Sequence, residues 1–495
     1  MMNCRIVLLA VVVAASCEPL AAADMPDTSK MNVLFIDIED CAAKALGCYG
    51  TRICKTSNFD RLAAAGVRFD TAYCQGVCCN PSRVSFLTGL RPSTTRVFQN
   101  GQPIMEHLPK GTPTLPELIK NKGLYAADVA KLFHGRHKTP QLAVFDRLEL
   151  TERPEGWKGP GPILKFPPLP KELRFRPAPK FDWNSPEYRK WHREHSSRWG
   201  DSGLTDEQEH DGKIARVASA LLKEFAQKKR HFFLSVGSAR PHTPLICPKK
   251  YIEMYDPEKI PLPPAPPEKD KNVPPVANNF GRSHDIYPEP EQAREVIAAY
   301  YACVTFLDAQ LGLVLDALEE TGLADNTIVI FFADHGFHLG EHGVWSKYTL
   351  FEPTTRVPLI VRVPGAPGNG KACPRLVELV DLVPTLGELL DLDVPGNLEG
   401  TSLVPLLVDP NRPWKKAAFT QWGDKGEWQA MRTERYRYNE RLQKGRRIVE
   451  LYDHQSDPWE TVNLADDPAH AKTRKELADL LRAGWKAARP PKRAK

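Results

Sequence analysis

Cys79 stands two residues ahead of a proline and four ahead of an arginine, in the run Cys79-Asn80-Pro81-Ser82-Arg83 that continues as Val84-Ser85-Phe86-Leu87-Thr88-Gly89. Proline favours the first helical position, so the spacing predicts a helix over 82–90. Its N-terminal N–H groups and dipole would point at residue 79 and stabilise an anion there. A nucleophile at that end, with Arg83 one turn on, makes an oxyanion site. The plain alternative is a buried cysteine ahead of an ordinary helix. A second set comprises Glu39, Asp40, Asp334 and His335, at the ends of two apolar runs. Hard oxygen donors suit Ca²⁺ or Mg²⁺, and Ca²⁺ better tolerates irregular geometry. Either acidic group alone reads as a solvated strand end; together at one edge they read as a cation site. Lys131, His134, His242 and Lys347 complete the candidates. Each follows an apolar run or lies in the glycine-punctuated segment Asp334 to Tyr348, which is able to turn back over a site. A lone histidine more often packs or faces solvent, and His338 and His342 of that segment are taken as structural.

Four apolar, β-branched runs must position these groups. Asn32 to Ile36 leads into Asp37, Glu39 and Asp40; Leu124 to Val129 into Lys131 and His134; Phe232 to Val236 into His242; Thr327 to Phe332 into Asp334 and His335. Helical patterns over Leu115 to Lys122, Lys213 to Phe225 and Gln292 to Thr321 lie between them. Strands alternating with helices predict an α/β fold, a mostly parallel sheet covered on both faces. Ligands of such sheets bind at the carboxyl ends of the strands, so four strands would deliver every candidate group to one edge. Residues 139–205 and 255–290 read as long loops or insertions. After Pro413 short β-like runs and a last helix over 469–488 predict a small α+β subdomain.

The remaining properties exclude more than they identify. Lys+Arg and Asp+Glu number 67 and 61, well mixed, for a net charge of +6. Nucleic-acid binding is therefore a poor reading, and a mildly basic surface suits an anionic substrate. Arg5, the apolar run Ile6 to Ala15 and Ala21-Ala22-Ala23 predict a signal peptide over 1–23 and export, to the periplasm or outside. The degenerate lipobox ending at Cys17 offers lipid attachment as an alternative. No stable membrane insertion is expected of the mature chain. Of eleven cysteines, Cys4 and Cys17 would leave with the leader, and the rest permit some disulfides.

From Asn32 to about Leu464 the chain resembles a type I sulfatase of the alkaline-phosphatase-like superfamily, most closely the iduronate-2-sulfatase branch. The resemblance is carried by Asn32-Val33-Leu34, Leu46-Gly47-Cys48-Tyr49-Gly50, Cys79 to Gly89 with Arg91-Pro92, Lys131-Leu132-Phe133-His134 and Pro241-His242-Thr243-Pro244. Asp334-His335-Gly336 through Lys347-Tyr348 and Leu451-Tyr452-Asp453 through Asn463-Leu464 extend it. It implies a sandwich-like catalytic domain over 24–412 and a C-terminal subdomain over 413–495. It implies that a formylglycine-generating enzyme oxidises Cys79 to formylglycine, whose gem-diol attacks the sulfur of a sulfated carbohydrate. His242 would protonate the departing sugar oxygen and His134 would act as base in expelling sulfate. Arg83 would steady the modified residue, and Lys131 and Lys347 would hold sulfate oxygens. Glu39, Asp40, Asp334, His335 and residue 79 would bind one Ca²⁺, with Mg²⁺ fitting less well. Two departures stand out: Glu39 replaces the family's usual aspartate, and Cys78 sits beside Cys79. Competing readings are a phosphoester or phosphonate hydrolase of the same superfamily and an inactive glycan-binding protein that keeps its thiol.

Overall fold

The computed structural model describes residues 25–491 apart from 135–139, 152, 154–157, 170, 172–184, 265–271, 275–276, 278–288, 424 and 444. The expected signal peptide, Cys17 and the final residues 492–495 lie outside the described residues, as do parts of both expected long loops.

The four apolar runs form four adjacent parallel strands: β1 (Asn32–Ile38), β3 (Tyr125–Ala130), β5 (Phe232–Ser238) and β6 (Thr327–Ala333). They are joined by β2 (Val67–Tyr73), β4 (Arg147–Glu149), β7 (Arg356–Val357), β8 (Leu359–Arg362) and β9 (Ala372–Glu378). The order is β7-β2-β8-β6-β1-β5-β3-β4, with β9 paired in parallel to β2. β7 and β8 run antiparallel to β2, and β8 to β6, so the sheet is mixed but mostly parallel. The segment expected as a loop over 139–205 contributes the edge strand β4, a correction to the sequence reading. Its three residues are too short for a periodic signal, and pairing with β3 holds them.

Alternation along the strands divides the core between two faces. Phe35 and Phe332 point at Phe86 on the helix α1 (Cys79–Thr88), with ring centroids 5.0 and 4.8 Å apart for Phe35–Phe332 and Phe86–Phe332. Asp37, two residues from Phe35, therefore shares the α1 face. On the other face Phe331 meets Phe59 at 4.8 Å, and α2 (His210–Gln227) packs with α3 (Ala293–Glu320). By length and composition α3 belongs to a segment apolar enough to cross a membrane, but 89% of its apolar window is buried in the protein, as a core helix requires.

Beyond Pro413 a four-stranded antiparallel sheet follows: β10 (Ala418–Trp422), β11 (Trp428–Arg432), β12 (Tyr436–Gln443) and β13 (Arg446–Asp453). The helix α4 (Ala471–Ala483) buries Leu477, Ala478 and Leu481 in a cluster with Phe419, Met431 and Leu451.

Candidate active site

β1 ends two residues before Asp40, whose backbone turns left-handed at φ 56°. Such a conformation costs a non-glycine residue about 1–3 kcal/mol and persists where its surroundings impose it. Here the Tyr300 hydroxyl donates to the Asp40 carbonyl (2.7 Å) and accepts from the Ala42 N–H (2.9 Å). The Asp40 N–H donates to Asp334 Oδ1 (3.2 Å), which locks the ends of β1 and β6 together. Ala130, closing β3, is also left-handed, at φ 71°. The next residue, Lys131, passes close to β5 because position 237 is glycine: a Cβ there would stand 1.9 Å from the Lys131 carbonyl oxygen.

The helix that carries Cys79 begins earlier than its proline suggests. Cys78 is the N-cap, Cys79 the first helical residue, and the Ser82 N–H already bonds to the Cys78 carbonyl (3.3 Å). Pro81 is the third helical residue, where its missing N–H still forfeits nothing, because first-turn N–H groups have no intrahelical acceptor. The helix over 82–90 expected from the sequence is thus corrected to Cys79–Thr88. Cys79 Sγ lies 3.4 Å from His335 Nε2 and 3.6 Å from Lys347 Nζ. Lys347 Nζ also bonds both Asp40 oxygens, at 2.9 and 3.0 Å.

Arg83 is fully buried one turn on. Its guanidinium donates to Asp37 Oδ2 (2.6 Å) and to the carbonyls of Lys131 (3.1 Å) and Leu132 (2.9 Å). It also lies 3.2 Å from Asp334 Oδ2 and 3.5 Å from Glu39 Oε1. Lys131 Nζ is paired with Glu39 Oε1. Asp37 was not among the sequence candidates, although a carboxylate inside an otherwise apolar strand signals a buried partner. Tyr300 was missed as well, since an aromatic on a core helix reads as packing.

Two histidines flank this centre. The His242 Nδ1–H donates to the Thr243 carbonyl (2.8 Å), leaving Nε2 for the site. Asp40, Cys79 and His242 each place a donor atom within 4.8 Å of the others, and so do Cys79, Asp334 and His335. Burial works against the charged form of His242, but the Asp40 and Glu39 carboxylates raise its pKa overall. His134 behaves oppositely: burial, then Lys131, lowers it to about 3, and its Nδ1 is buried with no hydrogen-bond partner.

The donor set fits a hard cation. Carboxylates of Asp37, Glu39, Asp40 and Asp334 outnumber the permanent cations Arg83, Lys131 and Lys347 around them. Burial pulls the His335 pKa down, but Asp334 and Asp40 outweigh it and lift it to about 9. The His335 Nδ1–H donates to the Gly336 carbonyl (3.0 Å), so Nε2 is the ring atom that faces Cys79 and Asp40. Asp334 Oδ2 accepts no hydrogen bond. Glu39 belongs to neither donor trio, and its carboxylate is paired with Lys131 and Arg83. His338 donates or accepts at Thr349 Oγ1 (2.7 Å), and His342 stacks on Phe351 with centroids 3.9 Å apart.

A mostly parallel sheet thus gathers a helix-start cysteine, an oxygen-rich cluster and two lysines at one edge, groups suited to holding an anionic ester. The profile of the sulfatase family matches residues 31–392, and that of the N-sulphoglucosamine sulphohydrolase C-terminal region matches residues 340–486; the chain belongs to the sulfatase family, hydrolases of sulfuric esters. It is 32% identical over 480 residues to a sulfatase of Formosa agariphila, covering 93% of this chain and 89% of that one. It is 33% identical over 410 residues to mouse iduronate 2-sulfatase, covering 74% of this chain and 70% of that one. Among solved structures, a phosphonate monoester hydrolase from Silicibacter pomeroyi superposes with a TM-score of 0.73 at 22% identity, covering 93% and 96% of the two chains. At that identity the likeness is one of fold.

Proposed function

We propose that the protein removes sulfate from a sulfated glycan, an iduronate-2-sulfate-like unit or another sulfated polysaccharide unit, with Cys79 oxidised to formylglycine and one Ca²⁺ beside it. The observation that carries this reading is the position of Cys79 Sγ at a buried helix start, 3.4 Å from His335 and 3.6 Å from Lys347. Hydrated formylglycine supplies a nucleophilic hydroxyl that a thiol ahead of Pro81 and Arg83 would not. Asp40, Asp334, His335 and residue 79, with Glu39 beside them, would hold Ca²⁺, which would supply Lewis-acid polarisation of sulfate oxygens. The chain's own groups do the rest. Lys347 and Lys131 hold sulfate oxygens, and Glu39 aims the Lys131 ammonium. Arg83, anchored by Asp37, keeps the helix start against the ends of β1 and β6. His242 protonates the sugar oxygen as it leaves. His134, kept neutral by burial, accepts the proton from the residue-79 hydroxyl when sulfate departs. Maturation needs a formylglycine-generating enzyme, and the N-terminal segment directs export.

Turnover of nitrophenyl sulfate against nitrophenyl phosphate, followed by sulfate release from a sulfated uronate disaccharide, tests the reading. The sulfate ester is expected to be hydrolysed faster. Faster turnover of the phosphate would favour a phosphoester or phosphonate hydrolase, and no turnover of either would favour an inactive glycan-binding protein.

A further inference from the structure

His242 does not stand on a strand: it lies four residues beyond the end of β5, in a turn that something must hold. The turn closes on itself where the His242 N–H donates to the Ala239 carbonyl (2.8 Å). It is fastened from outside by Asp211, in the first turn of α2, a carboxylate that no step of the proposed reaction uses. The Ala239 N–H donates to Asp211 Oδ1 (2.7 Å) and the Arg240 N–H to Asp211 Oδ2 (3.1 Å). Asp211 is only 2% exposed, so both its oxygens serve two consecutive backbone N–H groups and not solvent.

The neighbouring contacts fix how α2 sits. Gly212 follows Asp211, and a Cβ there would stand 1.6 Å from the Asp206 carbonyl oxygen, so only glycine lets the first turn pack this closely. Glu209, the buried N-cap of α2, lies 3.9 Å from the Arg240 guanidinium, which also donates to the His242 carbonyl (3.3 Å). α2 packs on β5 and on α3, and α3 carries the Tyr300 hydroxyl that holds the Asp40 turn. One helix layer therefore places both Asp40 and His242, whose donor atoms converge with that of Cys79.

We propose that Asp211 is a positioning residue for His242: its carboxylate fixes the turn 239–242, and with it the place of the imidazole beside Asp40 and residue 79. The proposal rests on the sulfatase reading above, in which His242 protonates the leaving sugar oxygen. Hydrogen bonds to an ionised acceptor are the strong ones. Two oxygens on adjacent N–H groups set the tilt of the turn as well as its position, which a single acceptor does not. Proton transfer needs its two heavy atoms within about 2.6–3.2 Å. A misplacement of about 1 Å can cost about 10²-fold in rate. Loosening the turn therefore takes the imidazole out of reach of the leaving oxygen, and it does so only for substrates that need the proton.

The test takes full-length chain co-produced with a formylglycine-generating enzyme, as wild type, Asp211→Ala, His242→Ala and the double variant. For each, kcat and KM are measured on nitrophenyl sulfate and on a sulfated disaccharide that the wild type turns over. Asp211→Ala should lower kcat on the disaccharide about tenfold or more, leave KM nearly unchanged and slow nitrophenyl sulfate far less. In the His242→Ala background it should cost nothing further, because no imidazole is left to position. Amide exchange at Ala239 and Arg240 should quicken. If Asp211→Ala does not fold, Asp211→Asn, which keeps the shape and one acceptor oxygen, carries the same comparison. Losses that multiply in the double variant overturn the proposal, as does an unchanged kcat on the disaccharide in a folded Asp211 variant. Equal losses on both substrates in His242→Ala would deny His242 the acid's role. An Asp211 loss absorbed by that background would still support positioning, so the two readings fail separately.

Discussion

The cluster around Arg437 and the cluster around Arg83 use the same side-chain types, and both guanidinium groups are buried. Arg437 on β12 pairs with Glu460 of its own subdomain and with Glu352 of the catalytic domain, and donates to Thr355 Oγ1 (2.9 Å). Tyr73 donates to Glu352 (2.9 Å), and His454 meets Glu460 (2.8 Å). Neither Glu352, Arg437 nor Glu460 has a buried side-chain polar atom without a partner. Glu352, His454 and Glu460 converge as closely as the donors around Cys79, but Arg437 already supplies the positive charge there. Around Arg83 the pairing is incomplete. Asp37 Oδ1 and His134 Nδ1 lack hydrogen-bond partners, and Arg83 Nε meets Asp334 Oδ2 only as an ion pair at 3.2 Å. Burial, helped by the neighbouring Asp334 and Glu39 carboxylates, holds the Asp37 pKa up to about 7 despite Arg83. Unpaired buried groups are costly. The closed cluster joins the C-terminal subdomain to the sheet domain, whereas the open one leaves polar atoms free for the substrate and cation proposed above.

Cys79→Ala should lower kcat by about 10⁴-fold or more with an unchanged melting profile, read by sulfate release and calorimetry; a variant with appreciable activity would remove the nucleophile from the account. Exhaustive chelation should abolish turnover, and Ca²⁺ should restore it more fully than Mg²⁺. At about a hundredfold its Kd, Ca²⁺ should also stabilise the chain by about 2.7 kcal/mol, a gain that Asp40→Asn loses. Full activity after metal removal would contradict the open cluster's role.

His242→Ala should slow hydrolysis of a sulfated sugar by about 10²–10⁴-fold and that of nitrophenyl sulfate far less, because a nitrophenolate leaves without protonation. His134→Ala should slow both substrates. Equal factors for the two variants on both substrates would erase the division of labour between them.

Arg437→Met should leave kcat per folded molecule intact yet cost about 3–5 kcal/mol of stability, since it strands two buried carboxylates. Burial opposes it, but the flanking arginines and His454 hold Glu352 and Glu460 below the ordinary carboxylate range. Their contribution is therefore full above the unfolded value and is lost as pH falls from there through the depressed folded values. The stability gap between wild type and variant should narrow between about pH 5 and about pH 3. A gap that widens toward acid would show that the closed cluster is not held by these pairs.

Much of the site was legible because its groups follow apolar runs. The strands ending before Glu39, Lys131, His242 and Asp334 are β1, β3, β5 and β6, the contiguous parallel half of the sheet. The antiparallel half was not read: Pro358 divides β7 from β8, and the alternating, partly exposed β2 carries no continuous apolar run. Pro81 misplaced the start of α1 because proline is tolerated throughout the first turn, not at one position. Glu39 stands where the family usually has an aspartate, and the folded chain pairs that carboxylate with Lys131 after β3 and Arg83 on α1, contacts between segments far apart in sequence. Asp37 and Tyr300 act through neighbours far away in sequence, which local pattern cannot reveal.

The central claim is that the thiol at the start of α1 is a precursor. Peptide mass spectrometry of the segment spanning Cys78 and Cys79, from chain co-produced with a formylglycine-generating enzyme, tests it most directly. Residue 79 should have exchanged its CH₂SH side chain for CHO, reactive toward a hydrazide probe, with Cys78 still alkylatable as a thiol. An active preparation in which Cys79 remains an intact thiol, or in which Cys78 carries the aldehyde, would contradict it.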